Sequence, residues 1–174
     1  MARYRIGPER SQVFMDARSS LHPIHTRTSG LEGFLDVDVR SDGRVNLQVP
    51  AYAKLSLPVD RLASGNALED RELKRRIDAR RFPTIDGELR ALEESGEDGR
   101  YRARGELTFK GRTNTYEDEI TIAASADNHQ QLLTIAGAHT FDIRDFGMEP
   151  PKILMFRVQP DVTVRIEVVA KRER

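Results

Sequence analysis

Apolar and polar residues alternate with a period of two along most of this chain, and a single stretch of helical period interrupts them. That combination allows few folds. Alternation is clearest over residues 45–57, where Val45, Leu47, Val49, Ala51, Ala53, Leu55 and Leu57 share one face, the pattern of a long strand with one dry side. Pro50 on the opposite face cannot donate to a ladder, so a bulge or unpaired stretch is expected there. Upstream, Leu31, Gly33, Leu35, Val37 and Val39 alternate with charged residues, and Ser41-Asp42-Gly43 is a turn joining the two segments into a hairpin. The series begins at Val13, Met15 and Ala17 and resumes at Ile85, Gly87, Leu89 and Ala91. It continues through Tyr101, Ala103, Gly105, Leu107 and Phe109, a turn at Gly111, and Tyr116, Ile120 and Ile122. After a turn at Asp127-Asn128-His129 come Leu133, Ile135, Gly137, His139, Phe141 and Ile143, and then Val162, Val164, Ile166 and Val168.

The interruption covers residues 66–82, with a helix expected over about 66–80. Asn66 is a candidate N-cap, and Glu69 stands where it can return the bond in a capping box. Leu73 and Ile77 lie four apart on one face, whereas Arg71, Glu72, Lys74, Arg75, Arg76 and Arg80 require water. So narrow an apolar stripe lies on a surface, and Pro83 ends the element.

About eight antiparallel strands joined by short turns form one sheet with one apolar face. With a single helix to cover it, closure on itself is favoured. The expected fold is therefore all-β, a single domain over residues 1–174: an antiparallel, lipocalin-like barrel with one helix near its mouth. At this strand number the interior is either filled by side chains or holds a small ligand. Small residues on the inferred dry faces, among them Ala17, Gly33, Ala51, Gly87, Gly105 and Gly137, admit two readings. They leave an apolar cavity, or they mark tight bends and close backbone contacts.

Composition narrows the function classes. Lys plus Arg and Asp plus Glu number 28 each, so no net field attracts polyanions and nucleic acid is not the expected partner. The chain has no cysteine, which removes disulfides, thiolate zinc sites and thiol catalysis. No apolar run approaches the roughly 20 residues that span a bilayer, and the first residues lack the apolar core of an export signal. A cytoplasmic protein without stable membrane insertion is expected.

Candidate chemistry is sparse. His22 and His25 have the short spacing of a metal pair, but Pro23 between them opposes a helix and no third ligand is near in sequence. His139 falls on an apolar-facing position, where a satisfied core histidine and a catalytic base are the alternatives. Glu117, Asp118, Glu119, Asp142 and Asp145 read as solvated charges. No nucleophile elbow or phosphate-cradling loop is present, and Asp145-Phe146-Gly147 lacks every companion of a kinase site. The apolar run at residues 153–156 fits a doubly buried strand, a cavity lip or a dimer surface.

In order along the chain, several short motifs resemble the YceI-like family. They are Tyr4-x-Ile6 with Ser11-x-Val13; Asp70-Arg71-x-Leu73 with Ile77-Asp78 and Phe82-Pro83-Thr84-Ile85; the segment from Gly105-Glu106-Leu107 to Lys110-Gly111; and Asp145-Phe146-Gly147-Met148. The resemblance covers nearly the whole chain. It implies a lipocalin-like barrel with an elongated apolar tunnel that binds polyisoprenoid lipids, a helix near its mouth, no metal or cofactor and no enzymatic chemistry. Two departures stand out. Ser19 occupies the place of a histidine common near the end of the family's first strand, with His22 three residues on, and the helix is richer in arginine. Those arginines either form a solvated helix face or set cations near the mouth, where a lipid head group or diphosphate would lie.

The expected function is a non-catalytic carrier holding an isoprenoid-like or other long apolar molecule, in transport, storage or stress protection. Its expected cavity lining is Val13, Met15, Ala17, Leu47, Val49, Ala51, Tyr101, Ala103, Leu107, Ile135 and Phe141, with Leu73, Ile77 and Phe82 as a lid. The alternatives are a filled barrel that acts by contact with a partner or as a homodimer, and a histidine-dependent enzyme using His22, His25 or His139 beside a pocket.

Overall fold

The computed structural model describes residues 1–150, 152–153 and 156–174. Among these, ten strands form one antiparallel sheet: β1 (Ala2–Ser19), β2 (Pro23–Thr28), β3 (Glu32–Val37), β4 (Tyr52–Pro58), β5 (Thr84–Glu94), β6 (Arg100–Phe109), β7 (Arg112–Asp127), β8 (Gln130–Asp142), β9 (Lys152–Ile153) and β10 (Phe156–Arg172). Eight close into a barrel in the order β1-β3-β4-β5-β6-β7-β8-β10, and β10 pairs back onto β1. Closure leaves the barrel no sheet edge, and it follows from alternation with only one helix to cover the sheet.

The 18-residue β1 has two partners on one edge, β3 along its first half and β2 along its second. Between them the ladder to β10 shifts after Ile6 and resumes at Ser11. The buried Ser11 hydroxyl donates to the Leu31 carbonyl at 2.7 Å, and Gly30 N–H donates to the Pro8 carbonyl, pinning this corner. On the outer face of β6 and β7, Arg100 and Arg102 reach Glu119 and Glu117 across the ladder, charges that a lipid-facing band excludes. No helix among the described residues is long and apolar enough to cross a membrane.

Three sequence expectations are corrected. Residues 45–57 do not make one strand: Val45 forms an isolated bridge with Val39, and β4 starts only at Tyr52. Asn46 explains the break, because its side-chain oxygen accepts Gln48 N–H and its amide donates to Asp38, curling the chain before Pro50. In β5 an irregularity between Leu89 and Ala91 reverses the facing, so Leu92 rather than Ala91 packs on the core. The helix α1 (Ala67–Ile77) ends earlier than expected, at Asp78, which caps it in the left-handed region (φ 58°).

The N-cap also differs. Asn66 accepts from Leu68 and Glu69 N–H as expected, but Asn66 N–H donates to Ser64 Oγ, and Asp70 in turn accepts from the Ser64 amide and hydroxyl. Glu69 is thereby released from the cap. The expected apolar run at residues 153–156 contains Leu154 and Met155, which lie outside the described residues.

The two ends of the barrel differ. At the end holding the β5–β6 and β7–β8 turns, Tyr4, Leu35, Val37, Tyr101, Ile122 and Leu133 are buried in a packed core. The 39–51 excursion closes over it. The helix end holds α1 and two short 3-10 turns, Val59–Arg61 and Ile143–Phe146.

Candidate functional site: an apolar cavity beneath the helix

The helix end of the barrel is hollow. A cavity of about 410 Å³ lies between the strands and α1, within the size range of small-molecule sites. Its walls are aliphatic and aromatic side chains spaced two apart on each strand: Val13, Met15 and Ala17 from β1, Leu107 and Phe109 from β6, Val162, Val164 and Ile166 from β10. Leu73 and Ile77 roof it from α1, and Ile143, Phe146 and Met148 close one side. The barrel is therefore neither filled nor empty throughout: its core is solid at one end and open at the other.

Small residues divide between both sequence readings. Ala17 and Gly87 border the cavity, and a Cβ on Gly87 would meet nothing closer than 3.9 Å. A Cβ on Gly33 would lie 2.0 Å from the Lys54 carbonyl oxygen, and one on Gly105 2.8 Å from that of Glu88, so these two allow strands to approach.

Of the expected lining, Val13, Met15, Ala17, Leu107 and Phe141 border the cavity, and so do Leu73 and Ile77 of the expected lid. Leu47, Val49, Ala51, Tyr101, Ala103 and Ile135 do not. Tyr101 and Ile135 belong to the packed core, and Leu47, Val49 and Ala51 lie in the excursion or its junction with β4. Phe82 is not on the cavity either; its ring lies against Gly111 at the β6–β7 turn, with the Arg81 guanidinium over it. Sequence reasoning missed Phe109, Phe146 and Met148. The signal was available for Phe109, the last of the β6 alternation.

Besides Thr26, Ser64, Glu69 and Asp70 at the border, an ionisable pair interrupts the apolar wall. The ladder between β7 and β8 runs from Asp127↔Gln130 to Ile120↔Gly137 and stops, although both strands continue. Beyond that point side chains take over in the same register. Asp118 Oδ2 lies 2.5 Å from His139 Nδ1, and the rings of Tyr116 and Phe141 meet edge to face at 4.8 Å. Tyr116 Oη donates to Asp145 Oδ2 at 3.3 Å and Asn114 Nδ2 to the Asp145 carbonyl at 3.0 Å, lacing the seam further. Burial and the neighbouring Asp145 carboxylate push the Tyr116 phenol up to about 12.

Asp118 was read from sequence as a solvated charge. It lies on the same face as Tyr116, Ile120 and Ile122, and that alternation was the overlooked signal. The pair supplies a base and an orienting carboxylate, but among the described residues Asp118 is the only polar partner of His139, so no hydroxyl nucleophile is engaged. His25 instead pairs with Asp16 on an exposed face, and the His22 ring meets the Pro23 carbonyl. No three His, Asp or Glu side chains converge on a metal position among the described residues.

Of the two readings of the helix arginines, a solvated face and cations at the mouth, α1 displays the first. The α1 residues bordering the cavity are Glu69, Asp70, Leu73 and Ile77, while Arg71 and Arg75 are exposed and Arg75 and Arg76 pair with Glu72.

A closed antiparallel barrel with an apolar chamber under a single helix defines a class, the lipocalin-like barrels. Within it, a model of the YceI-like domain matches residues 4–170, and the chain belongs to that family. Among solved structures, Burkholderia cenocepacia BcnA superposes with a TM-score of 0.75 at 16% identity, over 94% of this chain and 98% of that one. A polyisoprenoid binding domain from Saccharophagus degradans, implicated in plant cell wall breakdown, gives 0.69 at 9% identity over 99% of both chains. The Campylobacter jejuni YceI protein gives 0.68 at 13% over 86% of this chain and 85% of that one. No curated protein sequence matches.

Proposed function

We propose that this protein is a non-catalytic carrier that holds one long apolar molecule, an isoprenoid-like lipid, in the cavity beneath α1. The observation that carries this reading is the chamber itself: about 410 Å³ walled almost wholly by aliphatic and aromatic side chains. A protein interior that packs tightly elsewhere does not keep such a void for stability, since unfilled volume costs dispersion contacts. Burying roughly ten methylenes contributes about 8 kcal/mol before ordering costs, enough to hold a chain without directional contacts. The relative described as a polyisoprenoid binding domain supports this ligand class.

Native mass spectrometry and lipid extraction of freshly purified protein, followed by titration with prenyl probes, test the reading. A co-purified apolar molecule or saturable probe binding is expected. If both are absent, the carrier function is wrong.

A further inference from the structure

The chamber is largely apolar, and its few ionisable neighbours are three carboxylates and one histidine. Glu69 and Asp70 reach it from α1 and Asp118 from β7, while no lysine or arginine side chain borders it among the described residues. The one group there that can carry positive charge, His139, is already turned to Asp118 at 2.5 Å. A ligand with a phosphate or diphosphate head would bring more negative charge beside these carboxylates, with no lysine or arginine at the chamber among the described residues to offset it.

The Asp118–His139 pair also offers something positive. With Oδ2 facing His139 Nδ1, Asp118 Oδ1 has no protein partner among the described residues, and neither has His139 Nε2. A carboxylate oxygen accepts hydrogen bonds, and imidazole Nε2 accepts in the tautomer that keeps its proton on Nδ1, the nitrogen facing Asp118. Two acceptor positions therefore sit together on a largely apolar wall. The His139 and Asp118 side chains are 26% and 33% exposed, two residue positions beyond the last pair of the β7–β8 ladder, so a polar head reaching them keeps some contact with water.

Resting on the carrier reading, we infer that the ligand is an apolar chain ending in a hydrogen-bond donor without negative charge, a hydroxyl or an amine, seated on Asp118 and His139. The apolar wall holds the chain, and the pair selects the head.

The test uses four probes of one fifteen-carbon prenyl chain, farnesene, farnesol, farnesylamine and farnesyl diphosphate, titrated into the delipidated full chain. Farnesol and farnesylamine are expected to bind at least tenfold tighter than the diphosphate and measurably tighter than farnesene. In Asp118→Asn/His139→Phe, their advantage over farnesene should fall severalfold, while retained farnesene binding shows that the variant is folded. His139→Gln, which keeps an acceptor, should restore part of the farnesol advantage when introduced alone. Diphosphate binding as tight as the alcohol, or an alcohol advantage unchanged in the double variant, overturns the inference and leaves the carrier reading intact. Failure of all four probes to bind overturns both.

Discussion

Tyr101 Oη accepts the backbone N–H of Val45 at 3.0 Å in a buried position, tying strand β6 to the excursion that closes the solid end of the barrel. The sequence pattern had placed Tyr101 on a cavity wall. Its phenol instead satisfies a donor that the interrupted 45–57 strand leaves without a ladder partner.

Tyr101→Phe leaves that N–H buried and unpaired, so the folded state should lose about 1–3 kcal/mol, read as a lower urea midpoint. Binding of a prenyl probe should not change, because Tyr101 does not border the cavity.

Met15→Trp should do the opposite. Met15 borders the cavity, and an indole there occupies volume that a ligand would fill. Probe affinity is expected to fall at least tenfold, about 1.4 kcal/mol, with the thermal midpoint unchanged or raised. A variant with a lowered midpoint and unaltered binding would place the ligand elsewhere.

Two glycines on the inward pattern should respond differently to alanine. At Gly33 the backbone has φ 150° and a Cβ would overlap the Lys54 carbonyl, so Gly33→Ala should cost 1–3 kcal/mol or more. Gly87→Ala meets open cavity and should leave the denaturation midpoint within about 0.5 kcal/mol.

Leu73→Asp puts a carboxylate where α1 roofs the chamber. If the helix is the lid, dissociation of a bound probe should accelerate severalfold in stopped flow, with the barrel's far-ultraviolet signature retained. Unchanged dissociation would show that molecules leave by another route.

Acid should loosen the same helix. Hydrogen bonds from Arg75 and Arg76 hold the Glu72 carboxyl down from 4.5 to about 2. A depressed folded value means that this contribution is whole above pH 4.5 and is lost as pH falls toward 2. Amide exchange in α1 should therefore rise across that window in the wild type, and Glu72→Gln should flatten the dependence.

Much of the fold was legible because alternation is a local property. Each strand's inward face, the turns at Gly111 and Asn128, and the helix N-cap at Asn66 follow from side chains acting on their immediate backbone. Where a side chain could act on the backbone in two ways, local reading failed: Asn46 bent the chain that seven alternating apolar residues had drawn as straight. The same limit applied at Leu89, where an extra residue turned Ala91 away and brought Leu92 inward.

The site was legible in one coordinate only. A period of two says whether a side chain points into the barrel but not how far along the axis it lies, and the axis separates a packed core from a chamber. Val13 and Ile135 are both inward, yet only Val13 borders the cavity. Alternation and a single amphipathic helix were enough to determine a closed, one-helix barrel. Only the tertiary structure decided which end is hollow and that Asp118 meets His139 there, because strand register and closure bring together residues that no local pattern relates.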